Sequence, residues 1–378
     1  MRIVLAPDSF KESMTALEAA QAMAAGVRRV VPDAQCDVVP MADGGEGTVQ
    51  ALIDALGGLL VEAPAHDALG GEVDVEYGYV AASGLAVIEM AAANGLGMIP
   101  PARRDVMRAS TFGTGEVIRD ALDRGARRFI VGIGGSATND AGAGMASALG
   151  VRFLDADGAE LPPGGAALAK LAGVDLSGLD PRLAQCHFDV ACDVDNPLLG
   201  TRGASAVFGP QKGATPDLVV KLDAALTRWA DVVEPAIGRA VRDVPGAGAA
   251  GGIGAALAAF IPTAVLRRGV EIVVDAVGLV DRARGADWVF TGEGGIDSQT
   301  MRGKTPWGVL QAAGSVGVPV IMFGGNITAD ADVLIDAGVT ALVPIVGGVQ
   351  TIEQALENGP ENLAKAAELT MRLLLAGR

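Results

Sequence analysis

The sequence has few of the residues from which several common kinds of site are built. Its 378 residues include 3 cysteines, Cys36, Cys186 and Cys192, and 2 histidines, His66 and His187. The scattered cysteines form neither a disulfide framework nor a zinc-ligand spacing, so we expect a protein of the reducing cytoplasm. The histidines are too few for a histidine-based metal site.

Long positively charged segments are also missing. The net charge is −16, which argues against nucleic acid and anionic membranes as partners. Met1–Ala6 is too short for the apolar region of a signal peptide. Residues 244–266 carry no charge, but they contain Pro245, Pro262 and five glycines, so we expect a buried Gly/Ala-rich helix rather than a membrane span.

Glycine, in contrast, is abundant, with 53 residues clustered between apolar runs. In the central stretch 127–144, Phe129–Ile133 is typical of a buried parallel strand, and a helix is expected through Met145–Leu149. A strand, a glycine loop and a helix start together favour an anion site, because free backbone N–H groups converge there. The residues of this loop that we expect to bind the phosphates of a cofactor are Gly134, Gly135, Ser136, Thr138, Asn139 and Asp140.

Acidic residues and glycines follow probable strands at four further places, and lysines stand close to three of the five corners in all. One such corner would be ordinary turn chemistry, but five in one chain indicate a site. Carboxylates for a metal ion, amides for phosphate and a few lysines are the groups that phosphoryl transfer requires. The four further corners are Asp8, Asp43 with Glu46, Asp193 with Asp195, and Glu293 with Asp297, and the lysines are Lys11, Lys212 and Lys304.

Chemistry suggests how these residues divide the work. We assign Asp43, Glu46, Glu293 and Asp297 to Mg²⁺ or its water shell, because clustered acids without a cation would repel one another and a triphosphate. Lys304 joins the cofactor-binding set.

The remaining acids and lysines are the candidates for catalysis: Asp8, Lys11, Asp193 and Lys212. Lys11 suits a substrate carboxylate. Asp193, at a strand end, is the candidate general base or hydroxyl-orienting group, with Asp195 as the alternative.

Clean alternation of strands and helices at both ends of the chain predicts an α/β fold. Residues 59–91 instead contain strand-like pieces without a crossover helix, which indicates some antiparallel sheet. We therefore expect two α/β domains. Residues 1–64 and 284–378 would form a discontinuous doubly wound domain of the Rossmann or flavodoxin-like type, with 65–283 inserted as a second domain with a mixed sheet. The active site would then lie in the cleft between them.

Two other functions fit part of the pattern. Gly132-Ile-Gly-Gly-Ser-Ala137 matches the loose G-x-G-x-x-A fingerprint of an NAD(P)-dependent dehydrogenase, with Asp155 18 residues beyond. That function leaves the other corners unexplained. A non-catalytic hydroxy-acid sensor needs no metal site, so the number of acids counts against it.

The motifs also resemble a known family, the type 1 glycerate kinases, bacterial glycerate 2-kinases that form 2-phosphoglycerate. The resemblance spans nearly the whole chain. It implies ATP and D-glycerate as substrates, Mg²⁺ as cofactor and a two-domain α/β fold, and it alone favours phosphorylation at C2 over C3. Gly295 departs from the arginine that close relatives usually carry, and Ala141 from the usual glycine. The motifs that carry the resemblance are Ala6-Pro-Asp-Ser-Phe-Lys-Glu-Ser13, Ala42-Asp-Gly-Gly-Glu-Gly-Thr48, Gly132-Ile-Gly-Gly-Ser-Ala-Thr-Asn-Asp140, Phe208-Gly-Pro-Gln-Lys-Gly-Ala214, Pro245-Gly-Ala-Gly-Ala-Ala-Gly-Gly252, Thr291-Gly-Glu-Gly294 and Ile296-Asp-Ser-Gln-Thr-Met-Arg-Gly-Lys304.

Overall fold

The computed structural model describes residues 1–376, which fold as two compact units. Unit 1 comprises Met1–Gly58 and the chain from Arg268 onward, and unit 2 comprises Leu59–Arg267. The strands of the described residues are β1 (Arg2–Leu5), β2 (Gln35–Val38), β3 (Leu59–His66), β4 (Glu72–Val80), β5 (Leu85–Glu89), β6 (Arg128–Gly132), β7 (Arg152–Leu154), β8 (Gly173–Asp175), β9 (His187–Ala191), β10 (Ala264–Arg267), β11 (Trp288–Ile296), β12 (Val320–Ile327) and β13 (Ala341–Pro344).

Helices follow or precede most of these strands, and several short 3₁₀ turns connect them. The α-helices of the described residues are α1 (Ala16–Val30), α2 (Thr48–Leu56), α3 (Ala91–Asn94), α4 (Phe112–Asp123), α5 (Ala143–Ala148), α6 (Ala204–Phe208), α7 (Pro216–Ile237), α8 (Ile253–Phe260), α9 (Gly269–Ala276), α10 (Leu279–Ala283), α11 (Thr305–Gly314), α12 (Val333–Asp336), α13 (Ile352–Glu357) and α14 (Gly359–Ala376).

Unit 1 is built on a five-stranded sheet with the order β13-β12-β11-β1-β2, in which every neighbouring pair is parallel. Counted within the unit alone, this is the flavodoxin-like order 2-1-3-4-5 of a doubly wound fold, with its switch point between β1 and β11. Ile3, Val4 and Leu5 in β1 are completely buried, as expected of a parallel strand with both faces covered. Ligands of such sheets bind at the carboxyl ends of the strands beside the switch point.

The first helix of unit 1 begins where the sequence indicates. Thr15 caps α1: its hydroxyl accepts a hydrogen bond from the Glu18 N–H at 3.2 Å, and the Glu18 carboxylate accepts one from the Thr15 N–H at 2.8 Å. This capping box satisfies backbone groups that have no partner within the helix. The helix ends at Val30, because Pro32 disfavours helical geometry at the residue before it.

Unit 2 contains a six-stranded mixed sheet with the order β10-β9-β6-β5-β4-β3. The pairs β3–β4 and β4–β5 are antiparallel, whereas β5, β6, β9 and β10 run parallel to one another. Because β3 and β5 are both antiparallel to β4, they point the same way, and β3, β5, β6, β9 and β10 all end at one edge. The predicted α/β fold class, with one doubly wound and one mixed sheet, is confirmed.

The units divide the chain at Gly58/Leu59 and Arg267/Arg268 rather than at 64/65 and 283/284. Residues 59–64 belong to unit 2, because β3 pairs with β4 along its whole length, from Leu59↔Tyr79 to His66↔Glu72. Residues 269–283 belong to unit 1, because α9 and α10 pack against α11. The first of these boundaries coincides with the residue at which the strand-like pieces of the sequence begin.

The uncharged stretch 244–266 is only partly helical. It contains a glycine-rich turn, the buried helix α8 and the start of β10. A Cβ at Gly254 would lie 2.1 Å from the Gly246 carbonyl oxygen, so the backbones pack too closely there for a side chain. Among the helices of residues 1–376, none is both long enough and apolar enough to cross a membrane.

Candidate active site

The glycine loop, residues 133–141, follows β6 at the carboxyl edge of the unit 2 sheet. Gly134 and Gly135 are exposed, and their N–H groups make no hydrogen bond within residues 1–376. Gly135 has a left-handed conformation with φ +72°, which favours glycine, and a Cβ at Gly134 would meet nothing within 4 Å. Exposed, unpaired N–H groups at a strand end make this loop suited to an anion.

The Asp140 side chain holds the glycine loop to neighbouring elements of unit 2. Its carboxylate is completely buried and accepts hydrogen bonds from the Thr111 N–H and hydroxyl, both at 2.9 Å, and from the N–H groups of Gly142 and Gly144 at 3.1 and 3.2 Å. Burial raises the pKa of Asp140, and these hydrogen bonds oppose the shift. Since four donors already occupy its oxygens, the carboxylate ties the loop to the starts of α4 and α5.

The side chains of Thr138 and Asn139 are buried with the loop as well. The Thr138 hydroxyl donates to the Ala250 carbonyl at 3.5 Å, and Asn139 Nδ2 donates to Ser205 Oγ at 3.0 Å. Asn139 Oδ1 is buried without a hydrogen-bond partner among the described residues. These side chains therefore hold the loop in place, and the groups of the loop that reach the surface belong to Gly134 and Gly135.

Lys212 supports the loop from a 3₁₀ turn that ends at Gly213, where φ is +96°. Its Nζ is buried and donates to Ser136 Oγ and to the Thr138 carbonyl, each at 2.6 Å. Burial lowers the pKa of Lys212 to about 7, and the Asp140 carboxylate opposes the shift. Because a lysine ammonium only donates, Ser136 Oγ accepts here and its own proton is available to another acceptor.

Asp193 lies just beyond the carboxyl end of β9, the strand between β6 and β10. Its side chain is exposed, at the same sheet edge as the glycine loop. Asp195 is 77% exposed and forms an ion pair with Arg202 at 3.1 Å. Asn196 Nδ2 donates to the Arg202 carbonyl at 2.7 Å, so Asp195 and Asn196 both stabilise this turn.

In unit 1, Asp8 and Glu293 stand on either side of the switch point, after β1 and within β11. Asp8 accepts hydrogen bonds from the Thr305 hydroxyl and from the Ser9 N–H. Burial raises the pKa of Asp8 to about 6, aided by the Asp43 carboxylate and opposed by these hydrogen bonds. We call Asp8, Asp43 and Glu293 the acidic cluster.

Glu293 is the second strongly shifted acid of the cluster. Burial raises its pKa to about 7, the Lys304 ammonium opposes the shift, and the Asp8 carboxylate adds to it. Lys304 Nζ lies 3.4 Å from Glu293 Oε1 and 3.1 Å from the Gly295 carbonyl oxygen. Lys304 therefore partly neutralises the acidic cluster, whereas the other residues predicted to bind the cofactor lie in unit 2.

The remaining acids predicted to bind metal have different surroundings. Asp43 Oδ1 accepts a hydrogen bond from the Gly45 N–H at 3.0 Å, and the exposed Glu46 lines a cavity of about 80 Å³ together with Asp8. Asp297 caps the 3₁₀ turn Ser298–Arg302, accepting from the Gln299 N–H at 2.8 Å. In the described part of the chain, no three His, Cys, Asp or Glu side chains are arranged to hold a metal ion by themselves.

Lys11 is exposed and lies in a tight turn whose ends are joined by the Phe10 N–H and the Met14 carbonyl at 2.9 Å. It precedes the first residue of α1 by five positions, so it does not lie at the start of that helix. Gly294 lies beside it, with its Cβ position 3.6 Å from the Lys11 backbone nitrogen.

Two threonines with clear roles were missed from the sequence. Thr111 binds Asp140 and also accepts a hydrogen bond from the Met145 N–H at 2.8 Å, and Thr305 binds Asp8. A weak signal existed for each, since Thr111 opens a glycine-rich helix start and Thr305 precedes a proline at the start of α11.

The structure around the G-x-G-x-x-A match does not support a dinucleotide-binding site there. The helix after the glycine loop begins only at Ala143, and Asp155 accepts hydrogen bonds from the Asp157 and Ala159 N–H groups, both at 2.9 Å. Asp155 therefore stabilises a turn after β7, where a dinucleotide site would need it to bind ribose.

Fold and site together define a class: α/β proteins with an exposed glycine loop and buried carboxylates at the carboxyl ends of parallel strands. Residues 3–375 match the model of the glycerate kinase family. The chain is 51% identical to a glycerate kinase of Bacillus subtilis (97% of this chain and 96% of the relative) and 47% identical to a glycerate 2-kinase of Escherichia coli (100% and 99%). A crystal structure provisionally described as glycerate kinase 2 of Salmonella typhimurium LT2 matches with a TM-score of 0.93 at 50% identity, covering 100% of this chain and 99% of that one. The chain therefore belongs to the glycerate kinase family, and the resemblance drawn from its motifs is confirmed.

Proposed function

We propose that this protein is an ATP-dependent glycerate kinase that transfers the γ-phosphoryl group to the C2 hydroxyl of D-glycerate and forms 2-phosphoglycerate. The observation that carries the proposal is the glycine loop, whose exposed Gly134 and Gly135 N–H groups lack partners among the described residues, in a chain that matches glycerate kinases end to end. The free thiols of Cys36, Cys186 and Cys192 support a reducing, cytoplasmic setting.

The glycine loop would bind the phosphates of ATP. The Gly134 and Gly135 N–H groups would donate to phosphate oxygens, each such charge-assisted hydrogen bond being worth about 1.5–3 kcal/mol. Lys212 supports the loop through its hydrogen bond to Ser136 Oγ, and the positive charge of its ammonium would stabilise a phosphate nearby.

The acidic cluster has the chemistry of a Mg²⁺ site. Burial and mutual repulsion raise the pKa values of Asp8 and Glu293, so both carboxylates would be stabilised by a cation. Mg²⁺ prefers oxygen ligands and is usually held by one or two carboxylates together with substrate phosphates and water, so a cage of three protein acids is not required. Asp8 and Glu293 would hold the ion, with Asp43, Glu46 and Asp297 as outer candidates, and the ion would supply positive charge to the phosphates of the nucleotide.

Asp193 would act as the general base. It would accept the proton of the C2 hydroxyl as that oxygen bonds to the γ-phosphorus, while the bond from the γ-phosphorus to the bridging oxygen of ADP breaks. Asp195, 77% exposed and paired with Arg202, is the alternative for this role. Lys11, exposed and close to Asp8 in sequence, would bind the glycerate carboxylate.

A coupled assay with purified protein, ATP, Mg²⁺ and D-glycerate tests the proposal, and phosphorus NMR of the product distinguishes C2 from C3 phosphorylation. We expect formation of ADP that depends on both glycerate and divalent metal, and its loss in EDTA. Reduction of NAD with a 2-hydroxy acid would instead support a dehydrogenase. Binding of glycerate without consumption of ATP would support a sensor.

A further inference from the structure

Unit 2 contains a second feature that no role assigned above uses, a cavity of about 400 Å³. Apolar side chains form most of its wall, and a few polar groups interrupt them. Ligand pockets in proteins have this size and this mixture of surfaces. The lining residues on which the inference depends are His66, Leu69, Arg108, Phe112, Pro162 and Pro163.

The pocket lies at the same sheet edge as the glycine loop. Its residue His66 is the last of β3, which points the same way as β6, and Phe112 is the first residue of α4. Three strand intervals separate β3 from β6, or roughly 14 Å. This spacing is on the scale of a nucleoside triphosphate lying along the edge.

Hydrogen bonds of Asn94 and Thr111 connect the pocket wall to the glycine loop. Asn94 Nδ2 donates to the His66 backbone carbonyl at 3.2 Å. The backbone carbonyl of Asn94 accepts from the Ala137 N–H at 2.9 Å. Thr111, next to Phe112, binds Asp140 beneath the loop. The pocket and the loop are therefore parts of one hydrogen-bonded structure within unit 2.

The wall chemistry fits a purine nucleoside. Phe112 offers an aromatic ring, and Leu69 with the two prolines offers apolar contacts on which a base can stack. The His66 ring meets the Phe112 ring edge-on, with centroids 5.9 Å apart, and Glu116 fixes it through Nδ1 at 2.9 Å, so Nε2 remains for a ligand. Arg108 has no ion-pair partner in the described residues and offers a cation to a phosphate or a ribose hydroxyl.

We propose that this pocket binds the adenosine part of ATP, with the phosphates extending along the sheet edge to the glycine loop. This inference rests on the proposed kinase function, because that function supplies the nucleotide. A separate small organic anion, held by Arg108 and His66, is the other occupant that the test must distinguish.

The test uses two substitutions and a matched control. Leu69→Trp fills the pocket, Phe112→Leu removes the aromatic ring, and Leu59→Trp adds the same indole at a leucine that is 73% exposed and outside the pocket. For the two pocket variants we expect a KM for ATP at least roughly tenfold higher than in the wild type, since stacking on one aromatic ring has about this effect. The KM for glycerate should change little, and the control should behave as the wild type.

Calorimetry with ADP and with inorganic triphosphate separates the base from the phosphates. The inference requires that the pocket variants bind ADP at least roughly tenfold more weakly but bind inorganic triphosphate as the wild type does. Adenosine alone should compete with ATP. An unchanged affinity for ADP, or equal losses for ADP and triphosphate, would overturn the assignment of the pocket. If the wild type transferred no phosphoryl group to glycerate, the proposed function would fail, yet ADP binding would still test the pocket.

Discussion

Lys212 is a base whose buried environment brings its pKa close to neutral pH. It is buried with both of its hydrogen bonds directed to the glycine loop, to Ser136 Oγ and the Thr138 carbonyl, and its pKa is lowered to about 7. A neutral amine can make both bonds, so the loop geometry does not depend on the proton. The positive charge beside the proposed phosphate site does depend on protonation of Lys212.

Nucleotide binding should therefore be coupled to protonation of Lys212. Above pH 7 the free protein has mostly lost this proton, whereas a bound phosphate favours the ammonium, so affinity for ADP should fall as the pH rises from 7 to 9. Calorimetry at pH 8 in buffers of different ionisation enthalpy should show uptake of up to about one proton in the wild type. Lys212→Met should lack this uptake, and the exposed Lys170→Met should retain it. Equal uptake by wild type and Lys212→Met would contradict the coupling.

Asp193 permits a test that separates chemistry from turn structure. Asp193→Asn keeps the shape and an acceptor oxygen but cannot take a proton, so we expect kcat to fall roughly 10²-fold or more. The melting temperature should remain nearly unchanged, because the side chain is exposed. Asp195→Asn is the matched control, since its exposed ion pair with Arg202 contributes little to stability. Normal turnover by Asp193→Asn, or unfolding of this variant, would contradict the role of general base. Asp193 would then only stabilise the turn.

At the scale of elements, the loop after β6 is the part whose backbone we propose to bind phosphate. Gly134→Val should block the approach of a phosphate, because the side chain would occupy the open space above the exposed N–H groups. The fold should survive, since a Cβ at Gly134 meets nothing within 4 Å and its φ is not in the left-handed region.

Binding of ADP measured by calorimetry should weaken at least roughly tenfold in Gly134→Val, the cost of one or two charge-assisted hydrogen bonds. Gly173→Val is the control, because a Cβ at Gly173 in β8 is equally free of neighbours. An affinity like that of the wild type would exclude the loop as the phosphate site.

Elements that are determined by interactions between residues close in sequence could be predicted from the sequence. The capping box of Thr15 and Glu18, the buried strand β1 and the strand before the glycine loop all depend on residues a few positions apart. Side-chain partners at the sites could not be predicted in the same way. Asp140 meets Thr111 29 residues away, and Lys212 meets Ser136 across 76 residues, so their burial and bonding depend on how the strands assemble.

The two departures from the usual family residues acquire physical meanings in the structure. Ala141 has φ +51°, a left-handed conformation that costs a residue with a Cβ about 1–2 kcal/mol, which is why glycine suits this position. Gly295 lies in β11 with nothing within 4 Å of its Cβ position, so an arginine would fit there. Lys304 donates to the Gly295 carbonyl and provides a positive charge in this part of unit 1.

For the molecule as a whole, negative charge dominates the electrostatic potential. A net charge of −16 opposes the binding of ATP and glycerate, and the acidic cluster concentrates part of that charge at buried positions. Local positive charge at Lys11, Lys212 and Lys304 offsets only some of this field. A divalent cation bound at the acidic cluster would reverse the sign of the electrostatic potential there.

Stability should consequently depend on pH and on Mg²⁺ together. The folded protein holds protons on Asp8 and Glu293 with pKa values of about 6 and about 7, whereas the ordinary values are 3.8 and 4.5. Between roughly pH 4 and pH 7 the folded state therefore binds more protons than the unfolded state. The contribution of these two acids to stability is full below pH 4 and is lost as the pH rises to about 7.

In EDTA we expect the thermal midpoint to fall by at least about 3 °C between pH 5 and pH 8 through these groups, and Mg²⁺ at pH 8 should restore much of the loss. Asp8→Asn with Glu293→Gln should remove both the pH dependence and the effect of Mg²⁺, because neither side chain then titrates or attracts the ion. Glu357→Gln, a change at an exposed acid of α13, should leave both effects in place. If Mg²⁺ stabilised the double variant as strongly as the wild type, the ion would have to bind elsewhere, and the acidic cluster would lose its proposed role.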